Sequence, residues 1–270
     1  MGGEQAVVID IDPVAFALGP FTVRWYGVLV AVAVGTLLLV FSREAKRLDI
    51  SQDFIYNLFL WGIIGGLVVS RLVHVIDRLA THPGEPIDLL DFAGLGLYGA
   101  ILGAVLAVWV YTRVAGIVWS DMAVVGDAVA VGGPLAQAIG RLGCFINGCC
   151  HGGPTSLPWG VVYTHPDSFC GLKGVSIHPA QVYFLLWNLV VFGVIWKLRK
   201  QPHPAGSLFL LYLCLYATGD FALRFFRVNE PFLLGLQQGQ VISLAIVAVA
   251  LPILIVKIRR ASRTEQSPGA

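Results

Sequence analysis

Seven long apolar segments, separated by short polar stretches, dominate this 270-residue sequence. A transmembrane helix needs roughly 20 predominantly apolar residues to cross the hydrocarbon core of a bilayer. Only 13% of the residues are charged and the mean hydropathy is +0.78, so the chain lacks the charged side chains that cover a water-soluble fold. The sequence therefore predicts an all-α, polytopic integral membrane protein. The predicted spans are 23–41, 54–76, 92–112, 120–140, 178–197, 206–226 and 236–257.

The distribution of basic residues predicts the orientation of these seven spans. Lys and Arg concentrate in the loops 42–53 and 198–205 and in the tail 258–270, and such loops face the cytoplasm. We therefore expect the N-terminus outside and a flexible cytoplasmic tail. Residues 1–270 are expected to form one transmembrane domain, with 141–177 as an external loop segment. The net charge of +2 is too small to indicate a nucleic-acid partner.

Arginines gather at the outer ends of the predicted spans. A charge inside the membrane costs about 2.5–3.5 kcal/mol even on the more lenient insertion scale, so several at one depth indicate a shared anionic partner. A guanidinium suits a phosphate because its planar fork donates bidentate hydrogen bonds and keeps its proton. The alternative is that these residues only anchor helix ends, which we favour for Arg24 taken alone but not for Arg141. The residues are Arg24, Arg71, Arg141, Arg224 and Arg227.

Five short motifs, in their order along the chain, resemble those of the prolipoprotein diacylglyceryl transferase family. The resemblance extends over essentially the whole chain. It implies transfer of the sn-1,2-diacylglyceryl group from phosphatidylglycerol to the lipobox cysteine of a prolipoprotein signal peptide, with a thioether formed and glycerol phosphate released. It also implies a bacterial inner-membrane enzyme whose active site faces outward. The motifs are RWYG (24–27), LYGAILG (97–103), GRLGCFING (140–148), HPAQVY (178–183) and LRFFR (223–227).

The resemblance also assigns roles to individual residues. Arg141 is expected to contact the lipid phosphate, where fixed donors stabilise charge that develops on the leaving group. Gly140 and Gly143 are expected to allow close backbone approach, and Asn147 to orient the head group. The resemblance also implies substrate binding by Tyr26, Gln181, Tyr183 and Arg227. Arg71 and Arg224 are expected to bind substrate as members of the group of outer-end arginines.

Two further residues are catalytic candidates beside Arg141. Tyr98 stands where many family members have a histidine; it can donate to phosphate, but with an ordinary pKa of about 10 it is a poor base. His151 follows the GRLGCFING motif directly, and its imidazole is our candidate for accepting the substrate thiol's proton near neutral pH. The alternative is that His151 is an ordinary solvated loop residue.

The chain departs from the family pattern at five further positions. Many members have asparagine in place of Cys144 and glutamate in place of Cys149 and Phe184. Asp220 falls where the family has an arginine, and Arg224 where it has a glutamate. Since these two lie four residues apart on one predicted helix, we expect an ion pair with exchanged signs. The departures bear on proton transfer more than on phosphate binding.

The cysteines are compatible with several interpretations. Cys144, Cys149 and Cys150, with His151, permit a metal site, although zinc sites usually take four Cys or His ligands. The cysteines could equally pack as inert small side chains, or Cys150 could form a disulfide with Cys170. We expect neither a metal nor a cofactor. The competing functions are a non-catalytic phospholipid- or anion-binding membrane protein, and a metal or thiol-redox membrane protein.

Small and polar residues inside the spans indicate helix packing. The pairs Gly62–Gly66 and Gly99–Gly103 have the spacing of close helix crossings. Asp127 and Gln137 in the fourth span are expected to hydrogen-bond to neighbouring helices.

Overall fold

The computed structural model describes residues 6–19, 21–81 and 97–266, and seven α-helices account for most of them. Six are long and apolar enough to cross a membrane, and the third contributes a shorter apolar stretch, Leu102–Val114. The predicted polytopic helical architecture is confirmed, although the start of the third predicted span lies outside the described residues. The helices are α1 (Trp25–Arg47), α2 (Gln52–Thr81), α3 (Leu97–Val114), α4 (Trp119–Asn147), α5 (Ala180–Leu198), α6 (Ser207–Leu223) and α7 (Gln238–Gln266).

Two predicted boundaries are corrected, because helices continue beyond the apolar segments. Helix α4 runs to Asn147, so the loop expected from residue 141 begins at Gly148, whose φ of +79° ends the helix in the conformation glycine adopts readily. Helix α7 runs to Gln266, so most of the expected flexible tail is helical. Lys and Arg are good helix formers, and a helix need not stop where its apolar part ends.

Three short β-pairings lie in the segments outside the helices, and the sequence analysis did not predict them. The pairing of β1 with β4 is parallel, whereas the other two are antiparallel hairpins. The first pairing joins the N-terminal segment to the long loop after α4. The strands are β1 (Val7–Ile9), β2 (Val14–Leu18), β3 (Phe21–Arg24), β4 (Val161–Tyr163), β5 (Pro231–Leu233) and β6 (Leu236–Gln237).

The chain divides into two compact units. The first unit combines Met1–Phe41 with Ala123–Ala270, and the second unit is Ser42–Met122. The expected single domain over residues 1–270 stays a prediction.

In the second unit, α2 and α3 cross at glycines. A Cβ atom on Gly103 would lie 2.2 Å from the carbonyl oxygen of Gly65, and one on Gly99 would lie 2.8 Å from the α2 backbone. A Cβ on Gly66 would also be crowded, at 3.1 Å from α3 backbone. Close crossing at these predicted glycines is confirmed, and Gly65 joins them. Gly62 contributes less, since its nearest neighbour would be at an ordinary 3.6 Å.

The crossing predicts a large effect for one added methyl group. We expect Gly103→Ala to force α2 and α3 apart and to cost about 1–3 kcal/mol, as overpacking typically does. The apparent melting temperature of the detergent-solubilised chain measures it. Gly35→Ala on α1 is the matched control, because none of the described atoms lies within 4 Å of its added Cβ. Equal apparent melting temperatures for Gly103→Ala and Gly35→Ala would contradict the expectation.

In the first unit, α4, α5 and α6 pack around a shared apolar core and are tied by polar contacts. The carboxylate of Asp127 accepts hydrogen bonds from the backbone N–H groups of Gly206 (2.6 Å) and Phe209 (2.9 Å) at the start of α6. The Tyr212 hydroxyl donates to Gln137 at 3.0 Å. Both predicted interhelical partners on α4 are thus confirmed, and they fix α4 against α6. The core residues are Ala130, Val131, Val191, Ile195, Leu208 and Tyr212.

Candidate functional site

Two arginines share one aromatic ring at the ends of α4 and α6. The Cζ atom of Arg141 lies 4.6 Å from the ring centroid of Phe184, and that of Arg227 lies 6.0 Å from it. Such positions are held by attraction between a cation and the ring face. Among the described residues, neither guanidinium forms an ion pair with a carboxylate, and the buried Nε of Arg227 has no hydrogen-bond partner there. This arginine pair (Arg141 and Arg227) therefore suits an anionic ligand.

The loop after α4 holds Arg227 in place. Gly152 pairs with Arg227 in an isolated antiparallel bridge, and the N–H of Gly153 donates to the carbonyl oxygen of Phe226 at 3.0 Å. A Cβ on Gly152 would lie 2.5 Å from the Cβ of His178 and 2.6 Å from the Phe226 oxygen. Only glycine fits there, because the loop backbone itself packs against the end of α6.

Arg224 is engaged differently from the arginine pair. Its Nε donates to the Asp220 carboxylate at 2.6 Å, and the Ser243 hydroxyl donates to the same oxygen at 2.9 Å. The predicted Asp220–Arg224 ion pair is confirmed. Gln237 donates to the carbonyl oxygens of Arg224 and Arg227 at 2.9 and 3.0 Å, which fixes the backbone between them. The substrate-binding role of Arg224 stays a prediction.

Asn147, the last residue of α4, is buried and bonded to Arg24. The Arg24 Nε donates to its side-chain oxygen at 2.9 Å, while another Arg24 nitrogen donates to the Asp167 carbonyl oxygen at 2.6 Å. The Arg24 guanidinium also lies 3.9 Å from the ring centroid of Phe169. Arg24 thus joins α4 to the following loop, a role that the sequence analysis missed when it favoured a helix-end anchor. Its place in the RWYG motif beside Tyr26 was the available signal.

Substitution of Asn147 tests the hydrogen bond between Arg24 and Asn147. We expect Asn147→Leu to leave the Arg24 guanidinium without its side-chain acceptor and to lower the turnover of the site about 10- to 100-fold, through mispositioned groups. Asn147→Asp keeps the acceptor oxygen and is expected to retain more activity. The initial rate of product formation measures both variants. Asn229→Ala, at an exposed asparagine bonded only to Gln237 among the described residues, is the matched control; an equal loss there would contradict the assignment.

The two glycines of the GRLGCFING motif have different surroundings. A Cβ on Gly143 would lie 3.3 Å from the Leu29 side chain and 3.4 Å from the Tyr26 Cα, so this glycine lets α4 approach α1 beside Tyr26. No described atom lies within 4 Å of a Cβ built on Gly140. The close packing expected of both glycines therefore occurs at Gly143, and open space adjoins Gly140.

The HPAQVY motif connects the start of α5 to the loop. The Tyr183 hydroxyl accepts a hydrogen bond from the Trp159 indole at 2.9 Å and lies 3.2 Å from His178 Nδ1. The fully buried Gln181 donates to the carbonyl oxygen of Cys149 at 2.8 Å. Gln181 and Tyr183 are thus ordered by neighbours on the loop, and their roles toward a substrate stay predictions.

An apolar groove of about 500 Å³ lies beside Tyr183 and His178, between α5 and the end of α6. Its lining is almost wholly aromatic and aliphatic, as in sites that bind apolar ligand parts. Phe226 lies at its edge, next in sequence to Arg227. The groove is lined by Leu157, Trp159, His178, Tyr183, Leu186, Trp187, Val190, Leu223 and Phe226.

Both ring nitrogens of His151 are engaged. Nδ1 lies 2.8 Å from the carbonyl oxygen of Gly152, and Nε2 accepts the backbone N–H of Gly171 at 3.3 Å. This arrangement fits a neutral ring with the proton on Nδ1. His151 would have to release Gly171 to accept a proton, and its role as a base stays a prediction. Arg71 and Tyr98 belong to the second unit, and their roles likewise stay predictions.

Three cysteines complete this region and define the cysteine cluster (Cys144, Cys149 and Cys150). Their sulfur atoms all lie within 4.8 Å of one another. All five cysteines of the chain are free thiols, so the disulfide considered between Cys150 and Cys170 is absent.

The surroundings shift the pKa values of two groups in this region. Hydrogen bonds from the thiols of Cys144 and Cys149, followed by the charges of Arg227 and Arg141, lower the pKa of Cys150. Burial, the main cause, lowers the pKa of Arg227.

These features define a polytopic membrane protein with a cationic site beside an apolar groove. The sequence profile of the prolipoprotein diacylglyceryl transferase family matches residues 13–256. The chain therefore belongs to this family of enzymes, as its motifs predicted.

Individual relatives match over most of the chain. A phosphatidylglycerol–prolipoprotein diacylglyceryl transferase of Dehalococcoides mccartyi is 37% identical over 260 residues, covering 96% of this chain and 98% of the relative. The protein of the same name from Clostridioides difficile is 36% identical over 238 residues, covering 87% and 90%. The one from Pseudoalteromonas atlantica is 28% identical over 268 residues, covering 95% and 92%. The match extends well beyond the motifs themselves.

Proposed function

We propose that this chain transfers the sn-1,2-diacylglyceryl group of phosphatidylglycerol to the lipobox cysteine thiol in a prolipoprotein signal peptide. The family membership and the names of the relatives support this reaction. The chain acts in the bacterial inner membrane, surrounded by membrane lipids, with its N-terminus and active site toward the outer face. The placement of basic residues in alternate loops supports that orientation.

The arginine pair carries the proposal. Two fixed cations on the Phe184 ring, without a carboxylate partner among the described residues, are suited to the phosphodiester of the lipid. Arg141 donates to the phosphate oxygens and stabilises the charge that grows on the departing glycerol phosphate. Arg227, whose Cζ lies 6.0 Å from the centroid of the same ring, neutralises the same group.

Further residues of the first unit have proposed roles beside this contact. Asn147, held by Arg24, orients the head group, and Tyr26 lies across from Gly143. Gln181 and Tyr183 order the loop through their contacts with Cys149 and Trp159. Arg224 is a further proposed head-group contact in the first unit, and the roles expected of Arg71 and Tyr98 stay predictions. The open space beside Gly140 leaves room for the ligand.

The reaction is a substitution at the glyceryl carbon that carries the phosphate. The lipobox thiolate attacks that carbon, since the thiolate rather than the thiol is the nucleophile. A C–S bond forms, the C–O bond to phosphate breaks, and glycerol phosphate leaves with the electron pair. His151 is the proposed acceptor of the thiol proton.

The apolar groove offers a place for an acyl chain of the lipid. It lies next to Phe226 and therefore close in sequence to Arg227. A phospholipid whose phosphate rests on the arginine pair can lay one tail along the aromatic and aliphatic lining, which removes that hydrocarbon from contact with polar groups.

Complementation tests the proposed function. We expect the chain to sustain lipoprotein maturation in a bacterial strain depleted of its own transferase, with mass analysis showing one diacylglyceryl thioether on a reporter prolipoprotein. Release of glycerol phosphate distinguishes this from a non-catalytic phospholipid-binding protein, which would bind phosphatidylglycerol and release none. An unmodified reporter in cells that insert the chain normally would overturn the proposal.

A further inference from the structure

The cysteine cluster gathers three soft ligands around one point. Cys144 lies on the last turns of α4, and Cys149 and Cys150 follow in the loop. Their sulfurs, all within 4.8 Å of one another, need only small movements to reach the separation of about 3.8 Å expected for tetrahedral zinc thiolates with Zn–S bonds of about 2.3 Å. Cys150 has a φ of +61°, a conformation that residues other than glycine rarely adopt. That turn is what lets two adjacent cysteines face the same point.

The surroundings of the cluster balance the charge of such a site. Three thiolates and one Zn²⁺ carry a net charge of −1, and a fourth thiolate would make it −2. The guanidinium groups of Arg141 and Arg227 act electrostatically on Cys150 and together supply +2. Buried charges require this kind of compensation. Zinc with three protein ligands keeps an open fourth position for a substrate.

Two candidate bases of the first unit are already engaged among the described residues. Asp220 bonds Arg224 and Ser243 through Oδ2, while its Oδ1 has no hydrogen-bond partner there, and both nitrogens of His151 are engaged. A metal ion activates a thiol without such a base, because a coordinated thiol loses its proton outright. The buried amide oxygen of Gln181, unpartnered in the described part of the chain, belongs to the side chain that holds Cys149.

We propose that Cys144, Cys149 and Cys150 bind Zn²⁺, and that the lipobox cysteine of the prolipoprotein takes the fourth coordination position. This inference rests on the proposed function and departs from the expectation that no metal is needed. Binding releases the three protein thiol protons to water, and the zinc-bound substrate thiol then loses its proton to water, so that in this mechanism water takes the place of His151 as the acceptor. The zinc-bound thiolate forms the C–S bond as the C–O bond to phosphate breaks. The thioether product is a neutral, weaker ligand and dissociates, so no oxidant or reductant is consumed.

Metal analysis of the full-length chain tests the site without relying on activity. We expect the chain, purified in detergent under reducing conditions, loaded with Zn²⁺ and desalted, to retain about one zinc per chain. Replacing Zn²⁺ by Co²⁺ should give the intense near-ultraviolet absorption of thiolate-to-cobalt charge transfer. Cys149→Ser should lose both signals. Cys214→Ser is the matched control, because Cys214 is a free thiol on α6 outside the cluster, and it should retain them.

Two outcomes would overturn the site. One is a wild-type chain that binds no more zinc than Cys149→Ser. The other, which requires no variant and is therefore independent of folding defects, is a Co²⁺-loaded wild-type chain without the charge-transfer absorption.

Lipidation assays separate this inference from the proposed function. We expect zinc-free enzyme to lipidate a reporter at least tenfold more slowly and to recover when Zn²⁺ is restored. Unchanged lipidation by zinc-free enzyme would overturn the metal mechanism and leave the transferase function standing. A chain that binds zinc through the cluster yet fails to complement would instead contradict the proposed function.

Discussion

Replacing Arg141 by alanine is expected to lower the rate of reporter lipidation about 100- to 1,000-fold, the loss seen when a donor aimed at developing charge is removed. The guanidinium lies 4.6 Å above the Phe184 ring, where it meets the phosphate in the proposed mechanism. Arg141→Lys should recover little, because an ammonium group lacks the bidentate fork. Quantitative mass analysis of the reporter in membranes with equal enzyme content measures both variants.

Arg199→Ala is the matched control for this experiment. Arg199 also stacks on an aromatic ring, with its Cζ 3.0 Å from the Trp196 centroid. It directly follows the C-terminal end of α5, whereas Phe184 lies near the start of that helix. We expect normal lipidation by this variant and normal membrane insertion of both. Near wild-type lipidation by Arg141→Ala would remove the phosphate contact from the mechanism.

Asp220→Ala is expected to cause the largest loss of stability. Asp220 is 3% exposed, and its removal leaves the Arg224 guanidinium, 20% exposed, without a counter-charge. Breaking a buried pair from one side costs about 3–5 kcal/mol, which corresponds to a fall in apparent melting temperature of roughly 6–20 °C for a chain of this size. Thermal unfolding in detergent, followed by tryptophan fluorescence, measures it.

Thr218→Ala controls for a substitution on the same helix. The Thr218 hydroxyl donates to the Cys214 carbonyl oxygen, so its loss removes only a local contact. Asp220→Asn keeps the shape and an oxygen for Ser243 but loses the charge, and it should fall between the two. If Asp220→Ala and Thr218→Ala have the same apparent melting temperature, the ion pair contributes little to the stability of the fold.

The parts of the fold and site that were predictable depend on short-range rules. The apolar lengths predicted seven helices, and the spacing of Asp220 and Arg224 predicted an ion pair on one helix face. The crossing of α2 and α3 at Gly99 and Gly103 followed from side-chain size. In each case, the signal lies in residue types within a few positions of one another along the chain.

The parts that were not predictable depend on contacts between distant segments. Arg24 reaches Asn147, 123 residues away, and the RWYG motif that contains Arg24 draws attention to it without indicating this partner. The three cysteine sulfurs lie close together where Cys150 has a left-handed backbone, which adjacent cysteines do not by themselves indicate. The helical extension of α4 to Asn147 was missed because hydropathy marks the apolar core of a span rather than its end.

The parallel pairing of β1 with β4 has a consequence for biogenesis. Val7 pairs with Val161, so β1 lacks its partner strand until four helices and the β4 segment of the following loop have been synthesised. Closing so long a loop is entropically unfavourable and slow compared with the formation of a helix. The first four helices are therefore synthesised before β1 and β4 can pair, and the loop that carries Cys149 and Cys150 joins the N-terminal strand only after them.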